Sequence, residues 1–384
     1  MKLFDEVART ETRVKKYGEG AFAYLNSTAR PEFEETRALL EAWFSHYPKE
    51  HESDLRQRFR SKLDVQHIGA FWELLLHELL LRLGCTIRIH PDVPNSSARP
   101  DFLIETEACE RCYMEAVTVP GASDEDVGRE LIMNSIYDAL DKEIVSTDFF
   151  LWMDVAGIPE RQHSIKRLAA EVSAWLASLD ADSITQLHSA SGFDALPRRR
   201  FESDGWVLSF RPIPKRLEAR AQGGVRPVGV RMGQCHTVDH RTPIRDALIE
   251  KARAYGDLGH PYVIAVNALE RIDELDVEEA LFGQENYVVQ IRPGQPLSED
   301  TGYATRNWDG AFMNARGERI SASFVARQVQ PMTFDQSWYL LWHNPRAMYR
   351  YDCLLTRFDQ AMVVENEKRV EKGVHPSTIL LPNA

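Results

Sequence analysis

No apolar run in this 384-residue chain approaches the roughly 20 residues that a membrane-spanning helix requires. The stretch Met1-Lys2-Leu3-Phe4-Asp5-Glu6 lacks the apolar core of a secretory leader, which predicts a cytoplasmic protein. Cysteine is scarce, with five residues in the whole chain. That number fits a reducing compartment and excludes a disulfide framework. There is no excess of positive charge: the formal net charge is -12, which argues against a general nucleic-acid coat but leaves room for a local basic patch. No internal repeat and no low-complexity segment is present, so solenoid and disordered architectures are excluded. What remains is ordinary globular material, 43% hydrophobic and 27% charged, long enough for one large or two moderate domains.

Hydrophobic periodicity divides the chain into three regions. Residues 1–62 are polar and helix-prone, with Leu39, Leu40, Trp43 and Phe44 spaced for one helix face, and read as a helical N-terminal flank. Residues 63–158 begin with a helix from Gln66 to Leu83, apolar almost all round and therefore buried, ended by Gly84. Three short strands follow, Thr86 to His90, Asp101 to Glu105 and Tyr113 to Val119, the last two joined as a hairpin. A helix from about Asp126 to Glu143 comes next. The buried strand Phe149 to Val155 then closes the unit. Residues 159–384 form a mixed α+β C-terminal region. It contains a helix from Pro243 to Tyr255, a strand from Tyr262 to Val266, an apolar core strand from Trp338 to Trp342 and an expected helix near Arg346 to Val364. Within it, Arg198 to Arg231 carries nine basic residues against three acids, opposite in sign to the whole protein.

Three carboxylates stand on three successive elements of the middle region. Glu73 lies inside the apolar helix, where a charge needs a partner. Asp101 starts a strand and Glu115 lies in its hairpin partner, so the two can stand side by side across the ladder, roughly 5 Å apart. Mg²⁺, or Mn²⁺, takes oxygen ligands, commonly one or two carboxylates completed by water and substrate oxygens. Phosphodiester cleavage needs such a cation, a hydroxide-like nucleophile and a stabiliser for the leaving oxygen.

The helix Glu, the Pro100-Asp101 strand start and the Glu115 strand, in the order helix, three strands, helix, strand, resemble the PD-(D/E)XK nuclease superfamily. The resemblance covers about Gln66 to Gly157, and Phe71-Trp72-Glu73 with His77 is similar to a bacterial branch of nuclease-like proteins. It implies an α/β fold with a restriction-endonuclease-like αβββαβ core. It also implies metal ligation by Asp101 and Glu115 with help from Glu73, and metal-dependent hydrolysis of nucleic acid in bacterial defence or repair, with DNA the leading candidate and RNA left open. A homodimer is compatible with it. The departure is at Val117, where the superfamily carries the lysine that orients the attacking water. Three explanations compete: the lysine has moved to Lys142 or Lys251; another group such as His77, one helical turn from Glu73, serves instead; or the site is inactive and the fold binds nucleic acid or a protein partner without cutting. Asn134 and Tyr137 are similar to a Gln-and-Tyr helix motif of some members.

Other motifs are weaker. Cys109-Glu110-Arg111-Cys112 has zinc-like spacing but no second cysteine pair, and reads as a hairpin turn. Cys235 to His240 reads as a polar loop before a helix. Under the nuclease reading, Arg198, Arg199, Arg200, Lys215 and Arg216 are the candidates for contacting the nucleic-acid backbone.

Overall fold

The computed structural model describes residues 1–94, 96–107, 110–120, 124–157, 165–203, 205–220, 227–232, 239–289, 302–364 and 367–381. The chain forms two compact units. The first comprises Met1–Arg13, Gly20–Gly121 and Asp239–Ala384; the second comprises Val14–Glu19 and Ala122–Val238. The second is thus inserted between two parts of the first.

In chain order the first unit opens with α1 (Ala21–Ser27), α2 (Pro31–His46), α3 (Glu52–Phe59) and α4 (Asp64–Arg82), then β1 (Thr86–Ile89), β2 (Phe102–Glu105) and β3 (Arg111–Val119). The second unit holds α5 (Asp124–Glu143), β4 (Phe149–Ala156), α6 (Ile165–Ala177), α7 (Ala181–Ser191), β5 (Arg199–Ser203), β6 (Trp206–Pro214) and β7 (Val228–Met232). The first unit resumes with α8 (Arg241–Ala254), β8 (Tyr262–Ala268), α9 (Glu274–Phe282), β9 (Glu285–Val289) and β10 (Gly302–Arg306). It ends with β11 (Ala322–Arg327), β12 (Trp338–His343), β13 (Gln360–Val364), β14 (Glu367–Glu371) and α10 (Ser377–Leu380).

The first unit is built on an eight-stranded mixed sheet in the order β1-β2-β3-β8-β11-β12-β13-β14. The expected helix α4 and the strands β1 to β3 with their hairpin are present, each starting within two residues of its expected place. Gly84, at φ 84°, terminates α4 as expected: its N–H bonds Leu81 O at 3.0 Å and that of Cys85 bonds Leu80 O at 3.1 Å, closing the two carbonyls a left-handed cap normally closes.

One strand assignment is corrected. Phe149–Ala156 does not close the sheet of β1 to β3; it pairs with β6 and β7 in the second unit's four-stranded sheet β5-β6-β4-β7. The neighbour of β3 is β8, which runs parallel to it from Tyr113↔Tyr262 to Val119↔Ala268. The expected continuous core over residues 63–158 is therefore divided: residues 63–121 belong to the first unit, residues 122–158 to the second, and β8 rather than β4 stands beside β3. Burial separates the two strands in hindsight. β4 alternates between buried and half-buried positions, the pattern of a sheet with one wetter face, whereas every residue of β8 is buried, as in the middle of a sheet covered on both sides. A second correction concerns Arg346 to Val364: no α-helix forms there, and the segment supplies a short 3₁₀ turn, Leu354–Arg357, and β13. Gln360, Ala361, Met362, Val363 and Val364 pair with β14 instead.

Side-chain alternation decides which face each site residue meets. On one face, Met114 and Ala116 of β3 and Val263 and Ala265 of β8 pack with Phe71, Trp72, Leu75 and Leu79 of α4. Trp72 also donates its indole N–H to Ala265 O at 3.0 Å, fastening α4 to β8. On the other face, Tyr113, Val117, Ile264 and Val266 pack with Ile244, Leu248 and Ala252 of α8. Glu115, between Tyr113 and Val117 in the two-residue repeat, is aimed at α8.

Candidate active site

The site is a row of residues crossing three strands. β1 and β2 pair through Ile89↔Phe102, and β2 and β3 pair through Phe102↔Met114. One step further along both ladders sets His90 beside Asp101 and Asp101 beside Glu115. His90 N–H donates to Asp101 O at 3.0 Å, so the first of these steps is a formed rung. His90 closes its strand in the left-handed region at φ 46°, a conformation that costs a non-glycine residue energy and that recurs at functional sites.

Asp101 accepts a hydrogen bond on Oδ2 from the backbone N–H of Ala116 at 2.7 Å, which fixes its carboxylate against β3. Its Oδ1 lies 3.7 Å from His90 Nε2. That separation is too long for a formed hydrogen bond, yet the negative charge raises the imidazole's pKa above its ordinary value. Glu115 is buried and holds two partners, one on α8 and one just past its end. Lys251 Nζ lies 2.7 Å from Oε1, and the Tyr255 hydroxyl donates to Oε2 at 2.7 Å. Lys251 lies in the last turn of α8, and Tyr255 is the extended residue that caps it. Tyr255 also reaches Arg99 O at 3.1 Å, tying Glu115 to the chain just before Asp101.

The electrostatics pull in opposite directions. Burial and the neighbouring Asp101 charge raise the Glu115 carboxyl above its usual range, outweighing Lys251 and Tyr255. Burial acts to lower the Lys251 ammonium, but Glu115 and Asp101 outweigh it and hold the lysine above its ordinary value. Lys251 therefore stays a cation through the physiological range. Two carboxylates are forced close together in a poorly solvated place, with one cation beside them.

The other expected site residues fall elsewhere. Glu73 is buried, but Tyr47 donates to its Oε1 at 2.5 Å and Arg58 Nη1 to its Oε2 at 2.7 Å, so both oxygens are taken by protein donors. His77 is buried, with its ring against Tyr47 at 4.8 Å between centroids, and burial depresses its pKa to about 4. It is a neutral side chain of the α4 layer. Lys142 belongs to α5 in the second unit, whereas Asp101, Glu115 and Lys251 all belong to the first. Val117 is packed in the layer under α8, in the two-residue repeat with Glu115.

The basic residues also divide. Arg200 pairs with Glu202 at 2.7 Å, Arg198 approaches Asp154 at 3.9 Å, and Lys215 is buried with its ammonium 3.1 Å from Ser146 O. Arg199 and Arg216 are exposed. Asn134 and Tyr137 lie on α5, again in the second unit. Cys109 and residues 235–238 lie outside the described residues.

His90 and Tyr255 are the residues that the sequence did not single out. Tyr255 carried a signal, since it follows Lys251 by one helical turn. His90 carried none, because its place beside Asp101 comes only from strand register. Among the described residues no group of three His, Cys, Asp or Glu is arranged to hold a metal ion, so Asp101 and Glu115 stand as a pair.

Comparison with family models, curated proteins and solved structures finds no match.

Proposed function

We propose that the first unit is a metal-dependent nuclease, with a restriction-endonuclease-like core formed by α4, β1, β2, β3, α8 and β8, that hydrolyses phosphodiester bonds of DNA. The observation that carries the reading is the ammonium of Lys251 at 2.7 Å from Glu115, on the face where Val117 offers only an aliphatic side chain. A lysine delivered from α8 takes the place of the missing motif lysine.

The donor set fits a hard divalent cation. Asp101 and Glu115 supply two carboxylates, the number Mg²⁺ or Mn²⁺ commonly takes from protein, with water and phosphate oxygens completing the shell. The pKa of Glu115 is raised first by burial and then by the neighbouring Asp101 charge, and a cation between the two carboxylates offsets both. When bound, the cation supplies positive charge against the scissile phosphate. Lys251 holds its proton and is placed to orient the attacking water and stabilise charge developing on the phosphate. Tyr255 and the Ala116 N–H fix the aim of the two carboxylates. The assay is cleavage of plasmid and single-stranded DNA with Mg²⁺ or Mn²⁺ by wild type, Asp101→Ala and Lys251→Met. Cleavage that disappears in both variants is the expected result, and equal activity in all three removes the assignment.

A second reading is supported by the full occupancy of Glu115, both of whose oxygens already have protein partners. In that reading the fold binds nucleic acid or a protein partner without cutting. Salt-sensitive DNA binding by the wild type with no cleavage in either metal, weakened by charge reversal at Arg198, Arg199 and Arg200, selects it.

A further inference from the structure

The α3 side of the carboxylate row carries a second group of charged residues to which the nuclease reading gives no task. Arg58, on α3, donates from Nη1 to Glu73 Oε2 at 2.7 Å and from Nε to Asp54 Oδ2 at 2.9 Å, and its Nη2 lies 2.8 Å from the same Asp54 oxygen. A guanidinium has five N–H donors. These contacts use one hydrogen of each nitrogen, so two remain to donate. The side chain is 34% exposed, whereas Glu73 is buried at 5%, so a half-buried guanidinium with two unused donors is anchored on a buried carboxylate. Next to it stands His90, which feels the charges of both Arg58 and Glu73 and lies 3.7 Å from Asp101. His51 packs edge-on to His90, with ring centroids 5.5 Å apart. Cationic and imidazole donors thus continue the row outward from Asp101, on the side away from Glu115 and Lys251.

We infer that Arg58, flanked by His51 and His90, is a phosphate-binding subsite for the DNA backbone next to the scissile bond, and that Glu73 is a positioning residue for Arg58 rather than a metal ligand. This rests on the nuclease reading and deepens it. The chemistry is that of a phosphodiester oxygen. Arginine suits it because its planar donors match phosphate geometry, and a guanidinium held by two carboxylates loses little further freedom on binding. Glu73 is buried because its task is to hold that guanidinium. Its two oxygens meet the Tyr47 hydroxyl and the Arg58 guanidinium, and among the described residues no group of three acids or imidazoles brings it together with Asp101 and Glu115.

The test uses the full chain at one pH. Mn²⁺ binding alone is followed by isothermal titration, and binding of a fluorescein-labelled phosphorothioate duplex in Mg²⁺ is followed by anisotropy over a series of salt concentrations. Arg58→Gln is expected to weaken duplex binding about 10-fold and lower the salt slope by about one, with Mn²⁺ affinity unchanged. Glu73→Gln is expected to keep Mn²⁺ affinity within about 2-fold while weakening duplex binding about 3- to 10-fold, because the arginine loses its anchor. Loss of Mn²⁺ binding in Glu73→Gln makes Glu73 a ligand and overturns the inference. Wild-type duplex affinity and slope in Arg58→Gln overturn it equally. If circular dichroism shows that Arg58→Gln does not fold, Arg58→Lys decides: retained salt slope with weaker binding supports a fork-shaped phosphate contact, and wild-type behaviour on both counts refutes it. Wild-type protein that binds neither Mn²⁺ nor the duplex sinks the nuclease reading instead, so the two failures are distinct.

Discussion

Replacing Lys251 by Met removes the only cation in contact with the buried Glu115 carboxylate among the described residues. Breaking a fully buried ion pair costs about 3–5 kcal/mol, and an exposed pair is worth about 0.2–1 kcal/mol. Glu115 is enclosed but the Lys251 side chain is 32% exposed, so water screens part of the pair. We place the loss at ~2 kcal/mol at pH 8, a shift of roughly 30-fold in the ratio of folded to unfolded protein. The loss must also depend on pH. Glu115 already titrates above its ordinary value of 4.5 in the folded state, and losing Lys251 raises it further. A carboxyl whose pKa rises on folding favours the fold below its unfolded pKa and disfavours it as pH climbs through the folded one. The variant should therefore lie close to wild type near pH 4.5 and fall furthest behind at pH 8. Adding Glu115→Gln should restore most of the difference, since the uncompensated charge is gone. Urea unfolding of wild type, Lys251→Met and Lys251→Met/Glu115→Gln between pH 4.5 and 8, in chelator, measures all of this. A loss that is the same at both ends of the range, or one that the double variant does not recover, refutes the reasoning.

Other outcomes follow from the same contacts. His77 is buried and neutral, with a pKa near 4 against 6.5 when unfolded, so the unfolded chain takes up the extra proton between those values. Wild-type stability should fall by ~3 kcal/mol as pH drops from 6.5 to 4 and level off below, and denaturant titrations of His77→Leu should lack that component. Tyr255→Phe removes the hydroxyl that aims Glu115 and links it to Arg99, and should raise the Mg²⁺ concentration needed for half-maximal cleavage about 10- to 100-fold with little loss at saturating metal. Val117→Lys placed in the Lys251→Met background puts an ammonium on the same face as Glu115, and should recover about 10-fold or more of the cleavage rate lost in Lys251→Met. Trp72→Phe loses the indole bond to Ala265 O and should cost ~1–2 kcal/mol in thermal unfolding.

Local pattern was enough for much of this protein. The all-round apolar run of α4, its Gly84 stop and the hairpin from Phe102 to Val119 follow from spacing and turn chemistry over a few residues, and they appear where those rules put them. Asp101 beside Glu115 follows too, because a hairpin fixes its own register. The strand beside β3 did not follow. Phe149–Ala156 and Tyr262–Ala268 are both short and apolar, and only the placement of residues 122–238 as an inserted unit decides that the later one pairs with β3. Burial at every position of β8 was the available clue, yet it concerns the covering layers more than the strand itself.

The sequence by itself determined the carboxylates, the aliphatic residue at Val117 and two lysines, Lys142 and Lys251, as candidate partners for them. Tertiary structure brought Lys251 to Glu115, since α8 packs on the face that Glu115 occupies. It also gave Glu73 its partners and put His90 in the row. The physical reason is one of range. Periodicity and propensity are set by neighbours in the chain, whereas an ion pair between residues 115 and 251 depends on a crossover that no local signal encodes.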